Sequence, residues 1–317
     1  MRIFDYDDLP PRLEDEVQLL DASAGWGPMD FSRVKEARRV GYPAADYFGV
    51  YAVEDGKVSS MIRVLRLPFT TRRGLEKIAA IQGVVTRRDR SRKGLARSLL
   101  QEVHRREKAA GVRFSLLWTG RGQVAHGLYN SMGYADVYTP ELAIRKCDGQ
   151  HPMPRSYELK KARADDSDLI ERLHRAATRG RIGFTPRPGG IVRSLLKLGF
   201  LRIESLRLIL RDGKPVGYGL FQKSPGWSKL DEVTVLAGED PEEIISLFES
   251  ESKGCWLALR NTFVRDSIQA LRKRHYSFTN FAYYGLLGLQ LLDSRPDVSK
   301  MLGVSSRSFT CQQLDYF

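Results

Sequence analysis

The residues best suited to chemistry lie between Val84 and Leu100, where Arg87-Arg88-Asp89-Arg90-Ser91-Arg92-Lys93 leads into Gly94-Leu95-Ala96-Arg97. The β-branched run at 77–86 predicts a buried strand ahead of this basic stretch, and the periodicity after it predicts a helix over 91–110. Strand, basic loop and helix in that order suit an anionic ligand. The first N–H groups of a helix have no intrahelical acceptor, and the macrodipole favours negative charge at that end. Gly94 lets a backbone approach closely, and Ala96 keeps the next helical position small. Taken alone, the same residues also describe a basic surface turn, so the rest of the chain must decide.

Several elements are needed to position this loop. A short strand is predicted at 1–6, with amphipathic helices at 8–22 and 30–40, the second with Asp30 as N-cap. A hairpin follows, its strands at 48–53 and 58–67 joined through Glu54-Asp55-Gly56-Lys57, since Asp-Gly between apolar runs is a strong hairpin signal. Beyond the 91–110 helix, Gly111 stops the chain, 112–118 reads as a buried strand, 122–132 as a helix and 134–145 as one closing strand. Residues 147–156 (CDGQHPMPRS) carry two prolines and a glycine without periodicity, which places a linker there. The expected organisation is therefore a first domain at 1–146, the linker, and a second domain at 157–317.

The second half repeats the plan. AVEDGKV at 52–58 and ILRDGKPV at 209–216 set the same Asp-Gly-Lys between two apolar strands. Strand, helix, strand and helix follow at 229–236, 241–252, 255–259 and 264–274, which predicts a tandem repeat.

Bulk composition narrows the class. The chain has 317 residues, enough for two domains with full cores, and a net charge of +13. The excess is spread, +6 over residues 1–150 and +7 over 151–317, while residues 1–55 carry −6. Three cysteines (Cys147, Cys255, Cys311) lie far apart, so neither a disulfide framework nor a metal site is expected. The N-terminus has no apolar signal region and no apolar run reaches membrane length, so the expected location is cytoplasmic, with no membrane partner.

With these elements in place, the first half resembles the GCN5-related N-acetyltransferase (GNAT) superfamily. Its acetyl-CoA signature, Arg/Gln-x-x-Gly-x-Gly/Ala after a central strand, falls on Ser91-Arg92-Lys93-Gly94-Leu95-Ala96. The later helix with Leu-Tyr and then Gly-Tyr falls on Leu128-Tyr129 and Gly133-Tyr134. Gly83-Val84-Val85-Thr86 resembles the aminoglycoside-acetylating, enhanced intracellular survival-like branch. One position departs, because Ser91 stands where the family has Arg or Gln, with Arg90 and Arg92 beside it as substitutes for the missing charge.

The resemblance implies an α/β fold of two tandem GNAT-like domains, each a mixed, mostly antiparallel sheet flanked by helices. It implies an acetyl-CoA-dependent N-acetyltransferase whose acceptor amine attacks the thioester directly. Acetyl-CoA, as acyl donor, would be held by Arg90, Ser91, Arg92, Lys93, Gly94, Leu95, Ala96 and Arg97 at its pyrophosphate and by open backbone groups of Val84 and Val85 along its pantetheine. A Val84 or Val85 N–H would polarise the thioester carbonyl, and Tyr129 would protonate the departing thiolate. The base is open: the central strand reads Ala79-Ala80-Ile81-Gln82, Glu76 lies at its start, and the remaining candidates are a water and the terminal carboxylate of Phe317. His104 reads as a solvated helix residue, Tyr134 as core, and His126 as a residue on the CoA side. Trp26, Tyr42, Tyr47 and Phe48 are candidates for an acceptor wall, and the acidic first quarter would draw a cationic amine.

The repeat lacks both chemical features. Ala237-Gly238-Glu239-Asp240-Pro241-Glu242-Glu243 replaces the basic loop, and aligning His275-Tyr276 with Gly133-Tyr134 sets Leu271 opposite Tyr129. One active site is expected, in a monomer or homodimer. Two rivals remain from the residues alone, a non-catalytic acyl-CoA sensor and a basic protein that associates with nucleic acid or the ribosome.

Overall fold

The computed structural model of the chain describes residues 1–24, 31–40, 47–148, 156–260, 262–280, 285–292 and 297–311. Asp30, Trp26, Tyr42 and Phe317 lie outside them. Met1–Tyr138 with Tyr283–Leu302 form one unit, and Thr139–Ala282 with Gly303–Tyr316 form the other.

In chain order the first unit contains β1 (Arg2–Asp5), α1 (Glu14–Ser23), α2 (Phe31–Val40), β2 (Tyr47–Glu54), β3 (Lys57–Thr71), β4 (Gly74–Thr86), α3 (Leu95–Ala109), β5 (Phe114–Thr119), α4 (Val124–Ser131) and β6 (Ala135–Tyr138). The β2–β3 turn has the expected chemistry: Asp55 and Gly56 both take positive φ, 52° and 74°, as a tight hairpin turn matched to strand twist requires. Asp212 and Gly213 take φ of 50° and 74° in the second unit, so the repeated tripeptide repeats its backbone as well.

The second unit begins with β7 (Glu141–Lys146) and continues through β8 (Tyr157–Lys161), α5 (Ser167–Ala177), α6 (Ile191–Lys197), β9 (Leu206–Arg211), β10 (Lys214–Ser224), β11 (Trp227–Val235), α7 (Pro241–Glu251), β12 (Trp256–Arg260), α8 (Thr262–Asp266), α9 (Ile268–Lys273) and β13 (Ser277–Asn280). The chain then returns to the first unit with β14 (Gly285–Gln290) and α10 (Val298–Leu302). The expected helix at 264–274 is thus two short ones, and β14 and α10 are elements that the local sequence pattern does not predict.

Each unit holds a seven-stranded sheet, ordered β1-β2-β3-β4-β5-β14-β6 in the first and β13-β7-β12-β11-β10-β9-β8 in the second. Every pairing is antiparallel except β4 with β5 and β11 with β12. Sheet membership changes inside the expected first domain. The predicted strand at 134–145 breaks at Thr139-Pro140, where proline has no N–H for a ladder and restricts the residue before it. Beyond the break, β7 pairs with β12 and β13, while β14 takes the matching place between β5 and β6. Each sheet is thus completed by a strand from the far half of the chain.

The first core gathers Val50, Ile62, Val64, Ala79, Ile81, Leu99, Leu100, Val103 and Leu117 with Leu287 from β14. Alternation along the strands and the i, i+4 spacing of Leu99 and Val103 on α3 put these side chains on one face. The second core is built likewise around Ile209, Phe221, Leu230, Phe248, Leu257 and Leu271.

Candidate active site

The site begins where β4 and β5 part. Their parallel ladder runs from Ile78 opposite Phe114 to Ile81 opposite Leu117 and ends there. Past Ile81, β4 continues against β3 alone and β5 against β14. The β5-facing edge of residues 82–86 therefore has no ladder partner among the described strands, which leaves its backbone groups open to an extended ligand. A bulge sits at this point: Gln82 lies opposite Arg63 and Val85 opposite Met61, so Gly83 and Val84 together face Ile62. Gly83 takes φ of 52°, and a Cβ there would stand 2.3 Å from Arg63 Nε, so any other residue meets both backbone strain and the guanidinium. Arg63 is itself held by the buried Asp21 of α1, with Nη2 to Oδ1 at 2.8 Å.

From β4 the chain enters the basic loop. Arg88–Arg90 form one 3-10 turn, Arg92 and Gly94 take φ of 61° and 80°, and α3 starts at Leu95 instead of the expected Ser91. Gly94 at the N-cap has no side chain to accept, and the first turn of α3 holds no acid. The leading N–H groups at Leu95, Ala96 and Arg97 thus have no side-chain cap and point a positive dipole end outward. Arg92 and Lys93 are exposed beside them. Ser91 donates its hydroxyl to the Arg87 carbonyl at 3.1 Å, so it shapes the loop. Arg97 reaches Ser131 Oγ at 2.7 Å and ties α3 to the end of α4. Leu95 is buried, anchoring the helix start in the core.

Arg90 is placed otherwise. Its guanidinium pairs with Asp55 at 2.7 Å and lies near Glu54 and Asp89, so its charge is engaged at the β2–β3 hairpin. Arg90 thus stands paired at the hairpin, on the far side of Ser91 from Arg92. Arg92 is the flanking base still free to turn toward an anion.

Tyr129, on α4, is buried and meets Tyr134 edge-on with ring centroids 5.7 Å apart. The Tyr134 N–H donates to the Tyr129 carbonyl at 3.1 Å, fixing the end of α4. Tyr134 is core, as expected, and its hydroxyl links Ser115 Oγ on β5 at 2.6 Å and His104 Nε2 on α3 at 2.8 Å. Burial raises the Tyr134 phenol above its ordinary value. His104 departs from the solvated reading: burial, with the Lys108 charge, pushes it down to about 4. The helix face is polar, but Tyr134 reaches up to it, and the imidazole gains a partner by leaning inward. His126 is half-buried beside Asp136 Oδ1, at 3.3 Å.

No buried carboxylate stands free as a base among the described residues of this unit. Glu76 is paired with Arg113, and Glu107 receives a fork from Arg66, with Nη2 to Oε1 at 2.8 Å. Tyr47 is buried, its phenol pushed up to about 12 by burial, and half-buried Phe48 lies under the Arg66 guanidinium.

The second unit keeps the frame and alters each feature. The β11–β12 ladder ends at Leu230 opposite Leu259, and the next residue, Asp231, pairs across the opening with Arg260 at 3.3 Å. At α7 the Asp240 side chain accepts from the Glu242 N–H at 2.8 Å, with Pro241 first in the helix and Glu242 and Glu243 in its opening turn. The end of α9 repeats that of α4: Tyr276 N–H donates to Leu271 carbonyl at 3.1 Å, and His275 takes φ of 60° where Gly133 takes 92°. Leu271 therefore does occupy the Tyr129 position.

Comparison with known proteins agrees with this geometry. Residues 13–137 match the family described as the acetyltransferase (GNAT) domain. No curated protein matches the chain by sequence. Among solved structures, a probable N-acyltransferase from Enterococcus faecalis aligns at a TM-score of 0.71 and 13% identity, over 92% of this chain and 72% of that one. A GCN5-related N-acetyltransferase from Kribbella flavida aligns at 0.64 and 16%, over 92% and 72%. A tandem GNAT protein of the clavulanic acid biosynthesis pathway aligns at 0.56 and 13%, over 93% and 100%. Residues 13–137 thus carry the match to the GNAT acetyltransferase domain, and the two units together have the tandem GNAT acyltransferase fold.

Proposed function

We propose that the chain transfers an acetyl group from acetyl-CoA to a primary amine, and that the transfer takes place in the first unit. One observation carries the reading: the uncapped, acid-free start of α3 follows directly on the unpaired edge of β4, so an anion cradle and an open strand edge are continuous. A pyrophosphate with an amide-bearing arm matches that pair of features; in the second unit the strands part likewise after Leu230, but Asp231 and Arg260 pair across the opening and the start of α7 is capped and acidic. The residues fit acetyl-CoA, which supplies an activated acyl thioester when bound.

The roles follow from position. Arg92, Lys93 and the N–H groups at 94–97 hold the pyrophosphate. Val84 and Val85 pair with the arm along the open edge, and one of their N–H groups faces the acyl oxygen as negative charge develops there. Tyr129 holds a proton at its hydroxyl oxygen and gives it to the leaving sulfur, and the proton that the attacking nitrogen sheds passes to water, from which Tyr129 is reprotonated. Arg97 and Tyr134 keep α4 in place for that transfer. The acceptor is a small molecule or peptide whose amine reaches the site uncharged.

The test is a screen of simple amines, aminoglycosides and peptide N-termini for CoA release. The reading expects release that depends on one acceptor class and on Tyr129. No release with any acceptor despite acetyl-CoA binding would favour an acyl-CoA sensor instead, and release independent of any amine would be thioester hydrolysis and would contradict the reading.

A further inference from the structure

Arg63 and Asp21 have no part in the roles assigned above, yet they are the groups packed directly behind the bulge of β4. The guanidinium meets Gly83 edge-on through Nε and Nη2: a Cβ at that residue would be 2.3 Å from Nε, 2.4 Å from Nη2 and 2.7 Å from Cζ of Arg63. Asp21 holds the side chain in this place through Nη2 to Oδ1 at 2.8 Å and Nη1 to Oδ2 at 3.1 Å. Asp21 is fully buried on α1, and the Arg63 side chain is only 11% exposed. Tyr47 and Tyr51 close in around the pair, and burial raises both phenols, with the Arg63 charge acting on each in the opposite sense. Three elements are therefore locked in series: the carboxylate of α1, the guanidinium of β3 and the bulged backbone of β4.

A bulge decides which backbone groups face which way, since one extra residue turns every later N–H relative to a regular ladder. Here the extra residue lies within Gly83-Val84, inside the unpaired edge of residues 82–86. We infer that Arg63, held by Asp21, is a positioning residue that sets the direction of the Val84 and Val85 N–H groups toward the acyl carbonyl of the donor. This inference rests on the proposed donor site. A bidentate arginine suits the task, because its rigid Nε–Nη2 edge abuts the backbone while its Nη1–Nη2 fork is anchored by the carboxylate. The guanidinium also places a positive charge behind the peptide that must polarise an oxygen. A bulge supported only by apolar contacts would leave that peptide free to rotate.

The experiment reads the carbonyl itself and needs no acceptor. Acetyl-CoA labelled with carbon-13 at the thioester carbonyl is bound to the full-length protein, and the carbonyl stretch is recorded by difference infrared spectroscopy, alongside the affinity for CoA lacking the acetyl group. In the wild type the bound carbonyl should absorb at lower frequency than the free one. In Arg63→Met that shift should shrink by about half or more, while CoA affinity changes by less than about threefold, because the pyrophosphate cradle is untouched. Arg63→Lys should keep part of the shift. Asp21→Asn, which preserves shape, should lose part of it and supplies the measurement if Arg63→Met does not fold. An undiminished shift in the folded Arg63→Met protein, or in Asp21→Asn when that variant stands in for it, would overturn the inference while leaving the donor site intact. A wild type that does not bind acetyl-CoA would instead remove the proposed function beneath it.

Discussion

Tyr129 is the residue on which the proposed chemistry turns, and its surroundings hold it by more than packing. Its carbonyl accepts from Met132 and Tyr134, and its ring meets a second tyrosine anchored to β5 and α3. Tyr129→Phe removes only the hydroxyl, so turnover with a working acceptor should fall by about 10²-fold while acetyl-CoA affinity stays level, as calorimetry and steady-state rates would show. His174 gives a second prediction at this scale. In the second unit its Nδ1 meets the Tyr218 hydroxyl at 3.0 Å, and that hydroxyl donates to Glu232 Oε1 at 2.5 Å. Burial, reinforced by Arg187, lowers His174 to about 3. Burial works to raise Glu232, but the Arg187 charge and hydrogen bonds prevail and hold it at about 2. The unfolded histidine takes a proton near pH 6.5 that the folded one refuses until about pH 3, so its stabilising contribution shrinks as pH falls through that window. Glu232 acts in the same direction, its contribution being lost as pH falls from about 4.5 through 2. His174→Gln should therefore lessen the drop in stability between pH 7 and pH 4 by on the order of 1–3 kcal/mol in denaturant titrations. An unchanged drop would show that other groups set the acid sensitivity.

At the scale of elements, the junction from β4 through the basic loop to α3 depends on backbone that few residues can adopt. Gly83→Ala meets both a positive φ and the Arg63 guanidinium, so it should cost about 2 kcal/mol or more in thermal or chemical unfolding. Gly94→Ala meets open space at φ of 80° and should cost only about 1 kcal/mol. The gap between the two separates backbone strain from steric conflict. Much of this junction is legible in the sequence, because periodicity, the Asp-Gly turn and the glycine after a basic run each have local causes. The start of α3 is not: Arg92 in the left-handed region delays the helix to Leu95, a choice made by the loop as a whole. The Arg63 support is hidden too, since nothing in an isolated strand says which arginine lies behind which glycine. The pairing of Arg90 with Asp55 is hidden for the same reason, its partner lying on a hairpin far away in the chain. Gly83 does carry a signal, because a glycine inside a β-branched strand marks a bulge or a close approach.

For the molecule as a whole, the exchanged strands matter most. Pro140 ends β6, and β7 beyond it belongs to the other sheet, a consequence of pairing between distant segments that no local pattern reveals. Leu286 and Leu287 of β14 are almost fully buried, and each such side chain stabilises by about 1.5–3 kcal/mol when removed from water. Residues 1–146 expressed alone would lack β14, leaving β6 without its only strand neighbour in the sheet order. That fragment should be unfolded or aggregated by circular dichroism and gel filtration, and co-expression with residues 147–317 should restore a folded complex. A stable, monomeric 1–146 would contradict the exchange.

The two units also differ in charge at equivalent places, a basic loop before α3 and a capped, acidic turn at α7. Isothermal titration with acetyl-CoA tests this contrast most directly. One molecule should bind per chain. Reversing Arg92 and Lys93 to glutamate should abolish binding, while replacing Glu242 and Glu243 with lysine should leave it unchanged. Two molecules per chain, none at all, or binding that survives the Arg92 and Lys93 reversal would contradict a single donor site at the start of α3.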